Sequence, residues 1–272
     1  MLNSMRPKHY LNDMIYDFTE SLEVEGGRSS KTAQNYSHYL MRLSEFTDNI
    51  DVAKITPELI RKYRLWLNRY KNDNGASLSI LTQNYHLIAL RGFLLYLSKR
   101  GIESLAPHMI ELPKVHRKQV TFLHIDEIER LIAEIKTDSD IGLRDRAIIE
   151  MLYSSGIRSS ELLDLSENMI NMQDRELRVI GKGNKERITF FSKTAKKYLS
   201  EYIESKKSKT YYDKNIVFAN SKGGKLTTRS LRRLIEDYNK KSGITKELTP
   251  HVFRHTFATQ LLNSGVDIRY VQ

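Results

Sequence analysis

Two basic side chains, His251 and Arg254, sit one helical turn apart in the segment TPHVFRHTFAT. Thr249 and Pro250 precede them, a cap residue and a proline suited to the first helical position, so both fall in the opening turns of a helix. The helix dipole and the outward-pointing amides at that end favour an anion. His251 and His255 are also four apart, the spacing of a zinc pair. Val252 stands where a metalloprotease helix carries glutamate, and the chain has no cysteine to complete a structural site, so no metal is expected.

Two more stretches carry cations in mounted positions. In SSGIRSSELLDL, Gly156 ends one helix and Arg158 sits where the next begins, and a guanidinium held there binds two oxygens of one phosphate. In VIGKGNKERITF, runs of strand period flank GKGN, which puts Lys182 on a β-hairpin turn able to reach into a groove. This is not a nucleotide-binding loop, because no glycine precedes GK at the required spacing and no Ser or Thr follows. Taken singly, each cation has an ordinary reading as a solvated or structural residue.

The elements that must position these residues are legible from periodicity. YLNDMIYDFTESLEV carries Leu11, Ile15, Phe18 and Leu22 at helical spacing and stops at EGG. A second helix starts near Ser29 or Ser30 with Tyr36, Leu40, Leu43 and Phe46 on one face, and a third opens with Thr56 as cap and Pro57, with Trp66 in the core. A fourth, SLSILTQNYHLIALRGFLLYLSKRG, ends at Gly101, making a small bundle. The stretch 106–120 has two prolines, a basic cluster and no period, and is expected to be a linker. HIDEIERLIAEI and GLRDRAIIEMLYSSG return to helical spacing; NMINM, ELRVI and RITFF change to a period of two. NIVFAN is expected to be another short strand, followed by the basic helix TTRSLRRLIEDYNKKSG. The fold class is mainly α with a small antiparallel β-sheet.

Composition narrows the partners. The 272 residues hold 44 Lys and Arg against 33 Asp and Glu, a formal charge of +11 that suits a polyanion. The excess is spread: residues 1–120 hold 17 basic against 12 acidic side chains and the remainder 27 against 21, so both halves can share one ligand. No apolar run approaches the roughly 18 residues that span a bilayer, the N-terminus lacks the apolar core of a signal peptide, and the absence of cysteine fits a reducing compartment. A cytoplasmic protein is expected.

Taken together, Arg158 in GIRSSEL, Lys182 in GKGNKER and His251 with Arg254 in HVFRHTFAT resemble, in order and approximate spacing, the active-site motifs of the tyrosine recombinases, the Xer-type and phage integrase proteins. The resemblance runs from the N-terminal helical bundle through GLRDRAIIEMLYSSG to LLNSGVDIRYVQ. It implies a SAM-like core-binding domain at 1–105, a linker at 106–120 and a catalytic domain at 121–272, forming a C-shaped clamp on duplex DNA. It also implies attack by a tyrosine on the scissile phosphate, a 3′-phosphotyrosyl link and a free 5′-hydroxyl, with no cofactor. Arg158 and Arg254 would grip the non-bridging oxygens, Lys182 would protonate the departing 5′-oxygen, His251 would assist proton transfer and Glu161 would support the site.

The family motif that carries a further histidine and the nucleophile follows residues such as these last ones, so the chain is expected to be truncated, lacking the end of its catalytic domain, binding DNA without cleaving it and assembling poorly into tetramers. Tyr270 aligns with an ordinary packing position. Arg229, Arg232 and Arg233, three and four apart, are further DNA-contact candidates, as are Gln83, Asn84 and Arg91 in the first domain. The alternative is a regulator or architectural protein of the same fold that binds DNA and never cleaves it.

Overall fold

A computed structural model of the chain describes residues 8–72, 75–113, 121–181, 186–210 and 212–267. Contacts divide it into two compact units, Met1–Arg117 and Lys118–Gln272.

The first unit is built on four helices: α1 (Leu11–Val24), α2 (Ser30–Thr47), α3 (Pro57–Arg69) and α4 (Ile80–Lys99). Their starts are set by local chemistry. The side chains of Ser29, Thr56 and Ser79 accept from the amides of Thr32, Leu59 and Thr82, which satisfies donors that the first turn leaves unpaired. Leu11, Ile15 and Phe18 face Leu40 and Leu43 of α2, Tyr63 and Leu67 of α3, and the α4 row Leu87, Leu90, Phe93, Leu94 and Leu97 in one core. Trp66, Tyr36 and Phe46 pack against that core while partly exposed. The stretch expected to be linker begins later than 106: residues 107–109 form a 3₁₀ turn and Ile110, 3% exposed, belongs to the core. An apolar side chain at the correct distance from α4 was enough to hold a segment that has no period of its own.

The second unit wraps α6 (Asp140–Ser155), whose residues 147–152 are all buried. Around it lie α5 (Ile125–Ala133), α7 (Ser159–Leu163), α8 (Lys193–Lys207), α9 (Thr228–Ser242) and α10 (Pro250–Asn263). Strands β1 (Ile170–Asn171), β2 (Glu176–Ile180) and β3 (Glu186–Phe190) form an antiparallel sheet in the order β1-β2-β3. Leu177 and Val179 alternate into the core, the period read from the sequence.

Two features of this unit differ from the sequence reading. NIVFAN is not a strand; apart from one isolated bridge between Ala219 and Lys225 it is irregular. Its backbone groups are satisfied by other means: Val217 N–H donates to the Leu165 carbonyl at 3.1 Å, and the buried Lys206 ammonium donates to the carbonyls of Asp213, Ile216 and Val217. A lysine that takes three carbonyls replaces a ladder. The helix α8 was not assigned from the sequence at all. Its lysines mask an apolar row, Ala195, Leu199, Tyr202 and Ile203, that packs on α6 behind a Ser192 cap.

Candidate active site

The site is built where α6 stops. Gly156 closes α6 with φ +59, and a β-carbon there would lie 2.3 Å from Cδ1 of Phe257. Only glycine both turns the chain at that φ and lets the ring of α10 sit against it. Ile157 is fully buried next to it, which fixes the direction in which Arg158 leaves. Arg158 is the N-cap of α7, and Glu161, three residues on, reaches back to its backbone N–H at 2.9 Å.

The Glu161 carboxylate is the hub. Its side chain is 5% exposed. Oε1 accepts from Nη1 of Arg158 at 2.7 Å and from Nη1 of Arg187 at 2.8 Å, and Oε2 accepts from Nη2 of Arg187 at 2.8 Å. Burial pushes the carboxyl up, but the hydrogen bonds from Arg187 and from the backbone and side chain of Arg158 outweigh it and bring its pKa down to about 2. Arg187 lies on β3 opposite Val179, and Thr189 on the same face donates to the Ser155 carbonyl at 2.9 Å, so β3 is bound to the end of α6.

The second arginine arrives on α10. Pro250 takes the first helical position and Thr249 the cap position, although its side chain makes no capping bond. Arg254, partly buried, donates from Nη1 to the Gly156 carbonyl. Its pKa is pushed down by burial first, then by the charges of Arg158 and Arg187, against the opposing pull of Glu161. Two guanidinium groups thus share one carboxylate while the charge of a third acts on them from the Gly156 carbonyl, and an anion between them would relieve the repulsion. His251 is exposed one turn before Arg254 on the same helix; His255 is exposed as well. Among the described residues no group of three His, Asp or Glu side chains is placed to hold a metal ion.

The sequence-predicted residues divide accordingly. Arg158, Arg254 and Glu161 come together, and His251 shares the helix that carries Arg254. Lys182 and Tyr270 lie outside the described residues; the strands on either side of Lys182 pair as far as Ile180 with Glu186. Arg229, Arg232 and Arg233 are exposed on α9, whose opposite face buries Leu231, Leu234 and Ile235. In the first unit Arg91 is exposed, but the Gln83 amide is engaged with the Leu78 carbonyl at 2.9 Å, and the Asn84 Oδ1 is buried without a hydrogen-bond partner. Of that trio Arg91 is the exposed residue, and Gln83 and Asn84 are half-buried. Arg187 was missed by sequence reasoning. Its signal was an arginine two residues before Thr189, on the inward face of a strand that should bury apolar groups.

Residues 121–272 match the phage integrase family and residues 15–101 the phage integrase N-terminal SAM-like domain. The chain is 34% identical to the tyrosine recombinase XerD of Listeria innocua over 266 residues, 96% of this chain and 89% of that protein. It is 36% identical to the tyrosine recombinase XerC of Leptospira interrogans over 267 residues, 96% and 84% of the two chains. In fold it is similar to the integrase of transposon Tn1549 in complex with transposon right-end DNA, with a TM-score of 0.75 at 18% identity, covering 97% of this chain and 90% of that one. A SAM-like helical unit followed by a helical unit with a small sheet and paired arginines defines the tyrosine recombinases, a class of DNA strand-transferring enzymes. The chain belongs to the phage integrase family.

Proposed function

We propose that the chain serves site-specific DNA recombination: it binds a duplex recombination site with residues of both units and presents one backbone phosphate to Arg158 and Arg254. The observation that carries this reading is that Arg158 and Arg254 are both held at the α6–α7 junction, the first on the Glu161 carboxylate that it shares with Arg187 and the second on the Gly156 carbonyl. In the reaction of the class, a tyrosine hydroxyl attacks phosphorus, the bond to the 5′-oxygen breaks, and the strand is held as a 3′-phosphotyrosine. Arg158 and Arg254 stabilise the charge on the non-bridging oxygens, preorganised donors of a kind worth roughly 10² to 10³ each in rate. Lys182 gives a proton to the leaving 5′-oxygen, a general-acid step worth roughly 10² to 10⁴. His251 assists proton transfer at the nucleophile. No cofactor enters this sequence of steps.

Around the phosphate, Arg229, Arg232 and Arg233 of α9 and Arg91 of α4 hold the duplex backbone, in a cytoplasmic protein that acts on DNA there and self-associates on its site. No helix among the described residues is long and apolar enough to cross a membrane. The test is covalent trapping. Nicked duplexes carrying a site selected by binding are incubated with the protein and resolved under denaturing conditions. A protein-DNA adduct that disappears in R158A and R254A is expected. Binding without any adduct would replace the recombinase reading with that of a DNA-binding regulator.

A further inference from the structure

Arg187 belongs to none of the roles assigned above, yet it makes a two-point ion pair with a buried carboxylate. Its two terminal nitrogens lie 2.8 Å from the two oxygens of Glu161, a fork-to-fork contact with a carboxylate that is 5% exposed. Arg158 approaches the same carboxylate with Nη1 alone and keeps 44% of its side chain exposed. The two arginines therefore divide the work. Without the Arg158 guanidinium, Glu161 still accepts from both nitrogens of Arg187 and from the backbone N–H of Arg158 at 2.9 Å. Without Arg187, Arg158 is left as the one guanidinium hydrogen-bonded to the carboxylate among the described residues.

We propose that Arg187 is a positioning residue for phosphate recognition: as the standing counter-ion of Glu161, it lets the Arg158 guanidinium leave that carboxylate for a phosphate oxygen. A buried carboxylate stripped of its cation is strongly unfavourable, so in the absence of Arg187 the carboxylate retains Arg158 and the phosphate loses it. In this proposal Arg187 acts through Glu161, toward which both of its terminal nitrogens point, rather than on the phosphate. The same contact fixes β3, the strand that follows the Lys182 segment, to the start of α7. The proposal rests on the reading of Arg158 as a phosphate ligand.

The test follows the guanidinium N–H resonances of the arginine-labelled full chain during titration with inorganic phosphate, with R158K to assign Arg158. In the wild type, phosphate moves the Arg158 signal. R187A is expected to weaken the apparent affinity at Arg158 by about tenfold or more, and R187K, which keeps charge but loses the fork, to weaken it less. The decisive variant is the double change R187A/E161Q, which removes the carboxylate charge that captures Arg158; it restores affinity to within about threefold of wild type. A circular-dichroism melt of each variant accompanies the titration. If R187A unfolds, R187Q/E161Q is compared with R187Q alone: phosphate affinity at Arg158 lost in R187Q and regained in R187Q/E161Q is expected, and affinity unaltered in R187Q or not regained in the double variant overturns the role of Arg187. Equal affinity in R187A and wild type, or a loss in R187A that E161Q does not relieve, overturns the role of Arg187 and leaves Arg158 as the phosphate ligand. A wild-type Arg158 signal indifferent to phosphate overturns both.

Discussion

At the scale of single residues, two buried titratable groups of opposite kind, Glu161 and His86, each contribute a response to acid. Glu161 is held at about 2, below the ordinary carboxylate value of 4.5, so its stabilising contribution is complete above pH 4.5 and disappears as the pH falls through about 2. Replacing it leaves paired cations unneutralised. E161A is expected to cost the second unit on the order of 3 to 5 kcal/mol at pH 7, measured by urea unfolding, and to lose less stability than the wild type between pH 4.5 and 2. His86, 1% exposed, donates from Nδ1 to the Tyr39 carbonyl at 3.1 Å while its Nε2 has no partner. Burial pushes its pKa down to about 4, the Tyr39 carbonyl pulling the other way. Between pH 6.5 and 4 the unfolded chain binds a proton that the folded one refuses, so the first unit loses up to about 3 kcal/mol across that window. The fluorescence of Trp66, the single tryptophan, packed on Phe46, Tyr63 and Tyr70, reports that unit, and H86L should flatten the slope.

At the scale of elements, the site depends on α10 docking against the end of α6. G156A adds a β-carbon 2.3 Å from the Phe257 ring at a φ of +59, a backbone region that side chains avoid. A loss of about 2 to 4 kcal/mol is expected in thermal or urea unfolding, since overpacking and a left-handed alanine each cost about 1 to 3 kcal/mol. G156A/F257A should recover the overpacking part and leave the backbone part. The loop after α8 hangs on Lys206 in the same manner, one ammonium serving three carbonyls while 2% exposed. K206M keeps the volume and strips the donors, and should cost on the order of 3 kcal/mol because buried carbonyls are left unpaired.

At the scale of the whole molecule, charge sets the behaviour toward DNA. With a formal charge of +11 spread over both units, affinity for duplex should fall steeply between about 50 and 200 mM salt. Each lost phosphate contact should flatten the log-log slope by about 0.9. Changing Arg229, Arg232 and Arg233 together to alanine should therefore reduce it by up to about 3, read by fluorescence anisotropy on one duplex across a salt series. An unchanged slope would remove α9 from the interface. R158A and R254A are expected to change the slope less and to show in the covalent step, since in the proposed site both act on a single phosphate.

Local patterns carried much of this protein. Ser29 and Thr56 as caps, Pro57 and Pro250 at first helical positions, and the three- and four-residue spacing of Leu11, Ile15 and Phe18 each act within one or two turns, so the sequence by itself determined where those helices start and which faces they bury. The resemblance of the motifs around Arg158, Lys182, His251 and Arg254 to those of the tyrosine recombinases was enough to indicate the family. What failed was non-local. Lys206 satisfies the carbonyls of residues 213, 216 and 217, which turned an apparent strand into an irregular segment, and α6 supplied the apolar surface that gives a lysine-rich stretch its helical register as α8. Arg187 is invisible as a site residue until β3 is laid beside α7, and Gly156 is an ordinary helix stop until Phe257 is packed on it. Capping and periodicity are written in neighbours along the chain; the partner of a buried charge or the ring above a glycine is chosen only when distant segments exclude water together.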